Sequence, residues 1–127
     1  MSRDPRLVLE DVEQSCAKIV QYISGRTRTQ VFEEEMRLDA VLLNLRLIGE
    51  AVRRLPRAFT EGHPEVAWRE IGGARDLVAH AYFSLDPAVI WDAIETAVPQ
   101  LLRKVGEILD DQEVEAPTPR SSPPAPA

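Results

Sequence analysis

Apolar residues recur along this chain at alternating steps of three and four, the spacing that places them on one side of an α-helix. The clearest stripe comprises Leu9, Val12, Cys16, Ile19 and Ile23. A second stripe follows further along the chain: Leu38, Val41, Leu42, Leu45, Ile48, Val52 and Leu55. No segment carries a strand or hairpin signal. The chain is therefore predicted to fold as an all-α, antiparallel helical bundle.

Capping signals set the bounds of the first two helices. The pair Asp4 and Pro5 predicts the start of the first helix, because aspartate caps a helix and proline suits its first position. Gly25 predicts its end. The second helix is predicted from about residue 30 to residue 55, where Pro56 ends it.

The second half of the chain should supply a connector and two more helices. Residues 57–70 are interpreted as a connector with one short helical turn after Pro64. The third helix is predicted at residues 68–83 and the fourth at residues 87–109. Pro99 should kink or split the fourth helix. The bundle thus has four main helices and a short connector helix.

Composition changes at the C-terminal end. Residues 111–115 carry acidic side chains without a basic one, and the final PTPRSSPPAPA contains five prolines. Such a segment has too little apolar surface to fold. The 127-residue length allows one domain. We therefore predict a helical domain at residues 1–110 and a disordered tail at residues 111–127.

The net charge of −6 argues against strong nonspecific binding to nucleic acid. The charge is uneven, however. Residues 107–127 hold 5 of the 21 acids and 1 of the 15 bases, which leaves 16 acids and 14 bases in the helical body. A nucleic-acid substrate would therefore have to be held at one local site.

Cysteine and hydropathy indicate the compartment. The single cysteine, Cys16, excludes an intramolecular disulfide and fits a reducing environment. No apolar run approaches the roughly 20 residues that span a bilayer, and the charged N-terminus does not resemble a signal peptide. We expect a cytoplasmic protein without membrane contact. One cysteine and two histidines also argue against a zinc site, and no metal or cofactor is expected.

Residues 75–83, RDLVAHAYF, hold the groups best suited to polar chemistry at neutral pH. On a helix that turns about 100° per residue, with Arg75 at 0°, Tyr82 falls near −20°, Asp76 near 100° and His80 near 140°. The opposite arc holds apolar residues: Ile71, Ala74, Leu77, Val78, Ala81 and Leu85. One helix face should therefore present arginine, carboxylate, imidazole and phenol together.

These residue types suit RNA cleavage. Arginine binds phosphate through a planar fork, and histidine exchanges protons near neutral pH. Asp76 lies four residues before His80, so it can orient the imidazole ring. Arginine and histidine suffice for a metal-independent reaction in which the ribose 2′-OH attacks its own phosphodiester. An isolated pair of this kind is, however, more often a solvated face or a capping pair.

A second basic group lies at the end of the second helix. Arg53, Arg54 and Arg57 fall where positive charge suits the helix dipole. A phosphate-binding cluster is the alternative interpretation.

The run at residues 75–83 resembles the R-x4-H-x-Y signature of HepT-like toxins, in the HEPN group of small helical ribonucleases. The segment LRLIGEAVRRLP at residues 45–56 also resembles that family. So does a P-x-x-x-W-x-x-I-x-G-x-R pattern, formed here by Pro64, Trp68, Ile71, Gly73 and Arg75. The resemblance covers roughly residues 6–109. Asp76 departs from it, because many members carry asparagine there.

The resemblance implies a HEPN-like bundle and the toxin of a type VII-like toxin–antitoxin system. The activity would be that of a metal-independent endoribonuclease, with tRNA as one candidate substrate. Arg75 and His80 would be catalytic, with Asp76 and Tyr82 in support. A cognate MntA-like minimal nucleotidyltransferase antitoxin would silence the toxin by transferring AMP to Tyr82. Because HEPN-like sites are composite, a homodimer is expected.

A noncatalytic function is the alternative. A HEPN helical binding module could keep the motif while docking a nucleotidyltransferase partner or a nucleotide. The two hypotheses differ in whether His80 is needed for RNA cleavage.

Overall fold

The computed structural model describes residues 4–81 and 86–115, with side chains described at residues 4–80 and 86–111. All regular structure in these ranges is helical. The elements are α1 (Pro5–Ile23), α2 (Arg28–Glu33), α3 (Glu35–Arg53), α4 (Arg57–Glu61), α5 (Trp68–Gly72), α6 (Ala74–Ala81), α7 (Pro87–Asp92), a π-helical turn (Ala93–Ala97) and α8 (Val98–Glu115). The predicted all-α antiparallel bundle is confirmed.

Three long helices form the core. Helix α1 packs against both α3 and α8, and α3 also packs against α5 and α6. The predicted stripe on α1 is buried, with Leu9, Val12, Cys16 and Ile19 fully inaccessible to solvent. Burial of each such aliphatic side chain contributes about 1.5–3 kcal/mol before the entropic cost of folding. No helix in the described ranges is long and apolar enough to cross a membrane.

Helix α1 begins and ends at the predicted signals. The Asp4 side chain accepts a hydrogen bond from the backbone N–H of Arg6 at 2.9 Å, and Pro5 occupies the first helical position. After the last helical residue the chain turns at Gly25, which has a φ of 72°. That left-handed conformation favours glycine because a Cβ atom would be strained there.

The predicted second helix is wrong as one continuous element. It is divided into α2 and α3 at Glu34, which has extended backbone angles of −97° and 98°. Arg37 holds this break, because it donates to Glu34 Oε1 at 2.8 Å and to the Tyr22 carbonyl oxygen at 2.9 Å. The hydrogen bond from Arg37 lowers the pKa of the Glu34 carboxyl. Helix α2 has its own cap, formed by Thr27 and Gln30.

The connector helix also lies elsewhere than predicted. Helix α4 immediately follows Pro56, whereas the sequence placed a helical turn after Pro64. Trp68 stabilises the segment beyond α4, since its indole N–H donates to the His63 carbonyl oxygen at 2.9 Å. The Phe59 ring packs on the rings of both His63 and Trp68, at centroid distances of 4.6 and 6.1 Å. These aromatic contacts fix the connector.

The predicted third helix is interrupted. Gly73 separates α5 from α6, and its N–H bonds to the carbonyl oxygens of Arg69 and Glu70 in a tightened turn. The glycine pair Gly72–Gly73, unfavourable inside a helix, lies at this interruption. Helix α6 is described to Ala81, so the predicted end at residues 82–83 lies outside the described residues.

The effect of Pro99 on the fourth helix is confirmed. Proline has no N–H to donate to the carbonyl oxygen four residues earlier. The chain forms a π-helical turn at Ala93–Ala97 just before it, in which the N–H of Val98 bonds to the Ala93 oxygen. Helix α8 then continues to Glu115, beyond the predicted boundary at residue 110. The remainder of the predicted tail, residues 116–127, lies outside the described residues.

Candidate active site

Gly49 allows α3 and α6 to approach closely. A Cβ atom at this position would lie 2.7 Å from the backbone nitrogen of Arg75 and 3.2 Å from the Gly72 oxygen. Real Cβ contacts essentially never fall below 3.0 Å, so any larger residue would push α6 away. Gly49 therefore fixes where the Arg75 segment lies. The sequence signal for this role was a glycine inside an otherwise strong helix pattern.

Helix α6 presents its polar side chains to solvent. Arg75, Asp76 and His80 are all exposed, whereas Val78 is only 3% exposed. Leu77 is half-buried. The structure thus leaves three of the predicted site residues exposed to solvent on α6. The fourth, Tyr82, lies outside the described residues.

Asp76 contacts an arginine of another helix. Its Oδ2 accepts a hydrogen bond from Nη2 of Arg53, on α3, at 3.0 Å. The sequence had placed Asp76 beside His80, but the described residues show no side-chain hydrogen bond between those two. Arg53 runs over Gly72, where a Cβ atom would lie 3.3 Å from its Cγ. Sequence reasoning assigned Arg53 to the helix dipole and missed this contact.

Arg75 and His80 keep their polar groups exposed. Within the described part of the chain, neither side chain makes a hydrogen bond or an ion pair. They are five positions apart on α6, which corresponds to an axial rise of about 7.5 Å. Both can therefore contact one extended anion such as a nucleic-acid backbone.

An apolar cleft of about 440 Å³ lies beside this surface. Its walls include Ile48 of α3, Ile71 of α5, Leu77 of α6 and Leu101 of α8. Arg75, Asp76 and His80 are absent from its described lining. The candidate site is accordingly the open polar surface of α6, separate from this cleft.

Other reactive groups fit catalysis poorly. Burial raises the pKa of the Cys16 thiol to about 12, with nearby Glu13 adding to the effect, so the thiolate nucleophile is suppressed. The second histidine, His63, packs on Phe59 and lies 3.4 Å from Glu65. The described residues contain no group of three or more His, Cys, Asp or Glu that could bind a metal ion.

A family model for HepT-like ribonucleases matches residues 12–108. The chain belongs to the HepT-like ribonuclease family. It is 34% identical over 111 residues to a candidate RNase of Caldanaerobacter subterraneus subsp. tengcongensis, an alignment that covers 87% of this chain and 99% of that protein. No solved structure matches at a significant level.

Two further relatives agree with this assignment. The probable ribonuclease HepT of Thermococcus cleftensis is 35% identical over 108 residues, covering 82% of this chain and 94% of that protein. A candidate RNase of Methanocaldococcus jannaschii is 31% identical over 113 residues, an alignment that covers 89% of this chain and 93% of that protein. The resemblance predicted from the motifs is confirmed, and this HepT-like chain has the HEPN-like helical bundle expected of it.

Proposed function

We propose that this HepT-like chain is a metal-independent endoribonuclease in which Arg75 and His80 are the catalytic residues. The observation that carries the proposal is their joint exposure on α6, without a competing partner among the described residues. The fixed backbone contact at Gly49 holds the segment in place. Several relatives named as ribonucleases support the same activity.

The proposed reaction is an internal transesterification. The ribose 2′-oxygen attacks the adjacent phosphorus while His80 of one protomer takes its proton. The bond from phosphorus to the 5′-oxygen breaks, and a protonated group returns a proton to that oxygen. Arg75 stabilises the negative charge on the nonbridging phosphoryl oxygens. The products are a 2′,3′-cyclic phosphate and a free 5′-hydroxyl.

A homodimer would supply the second proton-transfer group. One chain offers a single exposed imidazole on α6, whereas the reaction needs a base and an acid. An isologous dimer would place two copies of His80 at one site. We place the two-fold axis beside α6, where the small, exposed Ala79 allows close contact between protomers. Sedimentation should show a dimer at micromolar concentration, and a monomer there would contradict this part of the proposal.

We assign regulation to Tyr82 and to a partner enzyme. In the proposed toxin–antitoxin pair, an MntA-like nucleotidyltransferase catalyses attack of the Tyr82 phenol oxygen on the α-phosphorus of ATP. The phenol loses its proton, pyrophosphate leaves, and AMP remains on the tyrosine. Helical periodicity places Tyr82 near the azimuth of Arg75, so the AMP phosphate would occupy the anion site. The substrate, with tRNA as one candidate, would then be excluded.

Cleavage assays with single variants test the proposal. The parent should cleave RNA in the presence of EDTA, and His80→Ala should lose about a hundredfold to ten-thousandfold in rate. Arg75→Ala should lose a comparable factor. Arg46→Ala is the matched control, because Arg46 is 49% exposed and pairs only with Glu50 of its own helix among the described residues. Parental cleavage by His80→Ala would instead favour the noncatalytic HEPN binding module.

A further inference from the structure

We infer that Arg53 is a second phosphate-binding residue of this site, that Asp76 positions it, and that its charge makes Asp76 compatible with an anionic substrate. This inference rests on the proposed ribonuclease function, because it assigns a residue of α3 to the RNA surface of α6.

The Arg53–Asp76 contact lies within the candidate site. Asp76 directly follows Arg75, and its Cβ atom is one helical turn from that of His80, a separation of about 5–6 Å. The Arg53 guanidinium bound to Asp76 at 3.0 Å is therefore held beside the two proposed catalytic side chains.

This ion pair differs from the others in the described part of the chain. Others, such as Arg46 with Glu50 and Arg57 with Glu61, join residues four positions apart on one helix. Arg53 and Asp76 are 23 positions apart and belong to different helices. Exposed ion pairs add little stability, and this one is 42% and 66% exposed at its two side chains. Its position at the site, more than its contribution to stability, distinguishes it.

The charge balance explains why Asp76 needs Arg53. An unpaired carboxylate next to Arg75 would repel phosphate and compete with it for the arginine. Pairing with Arg53 neutralises that charge locally. A guanidinium has five N–H donors, and the single hydrogen bond to Asp76 leaves others to bind phosphate. Arg53 and Arg75 can then contact neighbouring phosphates of one strand.

Glycine provides the space for this arrangement. Because Gly72 has no side chain, the Arg53 stem can lie across it, within 3.3 Å of the Cβ position. A Cβ atom there would require the Arg53 stem to shift by a few tenths of an ångström. The path of Arg53 is therefore set by α5 as well as by its carboxylate partner.

A double-mutant cycle on RNA binding tests the inference. The probe is a short single-stranded RNA with every ribose 2′-O-methylated, which can bind but cannot undergo attack by the 2′-oxygen. Arg53→Gln should weaken binding about tenfold and reduce the salt dependence by roughly 0.7 in log–log slope, the value for one phosphate contact on a single strand. In an Asp76→Asn background the same Arg53→Gln substitution should weaken RNA binding only about threefold, because no unpaired carboxylate is left behind.

Two further variants serve as controls. Arg46→Gln removes an arginine of the same helix with similar exposure, 49%, and should bind like the parent. Arg53→Lys keeps the charge without the planar fork and should bind between the parent and Arg53→Gln. Parental affinity and salt slope in a folded Arg53→Gln would overturn the inference. Equal losses in both Asp76 backgrounds would overturn the role of Asp76.

The same samples separate this inference from the proposed function. Cleavage of unmodified RNA by the parent tests the nuclease, whereas the change on Arg53 substitution tests the site assignment. If the parent cleaves RNA and Arg53→Gln binds and cleaves it normally, only the assignment of Arg53 as a phosphate-binding residue is refuted. A parent that neither binds nor cleaves RNA refutes the proposed function and this inference with it.

Discussion

Gly49 of α3 and Arg75 of α6 are in such close contact that a Cβ atom on the glycine would lie 2.7 Å from the arginine backbone nitrogen. The obstacle is backbone, which cannot rotate away as a flexible side chain can. Residue 49 consequently determines where Arg75, a proposed catalytic residue, lies relative to the core.

Gly49→Ala should lower both activity and stability. Overpacking at a tight contact costs about 1–3 kcal/mol, and the shift of α6 should reduce RNA cleavage even where the protein remains folded. Thermal unfolding and cleavage rate measure the two effects. Gly106→Ala is the control, because among the described residues its new Cβ would meet just Glu13 Oε2, at an ordinary 3.6 Å. That control should gain up to about 1 kcal/mol from helix propensity; a similar gain for Gly49→Ala would contradict the account.

Substitutions on α6 should separate catalysis from folding. His80→Ala should unfold at the parental temperature, because the side chain is exposed. Val78→Asp should lose roughly 3–5 kcal/mol, since it places an unpaired charge where the parent side chain is 3% exposed. Leu77→Asp should cost less, because Leu77 is half-buried beside the apolar cleft. Urea denaturation ranks the stabilities of the three variants. A Leu77→Asp protein less stable than Val78→Asp would show that α6 is rotated from the position described.

Local signals predicted much of this fold but only some of its interruptions. The three- and four-residue spacing correctly placed the buried face of α1, and Pro99 correctly predicted an irregularity in the fourth helix, the π-helical turn before α8. The break at Glu34 was missed because it depends on Arg37 bonding to the Tyr22 carbonyl, 15 positions away. A helix pattern contains no information about that contact.

In the candidate site, too, local sequence predicted some features, whereas others depend on contacts between distant residues. Helical periodicity was enough to place Arg75 and His80 on the exposed side of α6. The partner of Asp76 was not predictable from periodicity, because Arg53 lies 23 positions earlier on a separate helix. Gly49 was recognised only as part of a motif, since its closeness to Arg75 arises from the packing of α3 on α6.

Cys16 should make stability depend on alkaline pH. Burial raises its pKa from near 9 to about 12. Well below pH 9 the thiol is protonated in both the folded and the unfolded chain, so its contribution is constant. Between about pH 9 and pH 12 only the unfolded chain loses the proton, and stability therefore falls as pH rises, by up to about 4 kcal/mol.

Urea midpoints of the parent and Cys16→Val across this pH range isolate that effect. Other groups titrate in the same range in both proteins, so the difference between the two curves reports Cys16. The parent should lose more stability than the variant as pH rises above 9. Parallel curves would show that the thiol is not buried as described.

Tyr82 should accept AMP in the presence of the cognate nucleotidyltransferase and ATP. Intact-mass analysis should show that the mass of the parent increases by that of an attached AMP group. The mass of Tyr82→Phe should not change. The chain has one other tyrosine, Tyr22, which is half-buried on α1, so Tyr22→Phe should be labelled like the parent. Equal labelling of parent and Tyr82→Phe, or labelling of neither, would remove Tyr82 from this role.

The chemical ends of the RNA products test the ribonuclease mechanism most directly. The parent is incubated with RNA in EDTA, and the fragments are identified by mass spectrometry alongside those from His80→Ala and Arg46→Ala. Attack by the ribose 2′-oxygen predicts 2′,3′-cyclic phosphate and 5′-hydroxyl ends from the parent and from Arg46→Ala, with little product from His80→Ala. Fragments with 3′-hydroxyl and 5′-phosphate ends, or undiminished cleavage by His80→Ala, would contradict it.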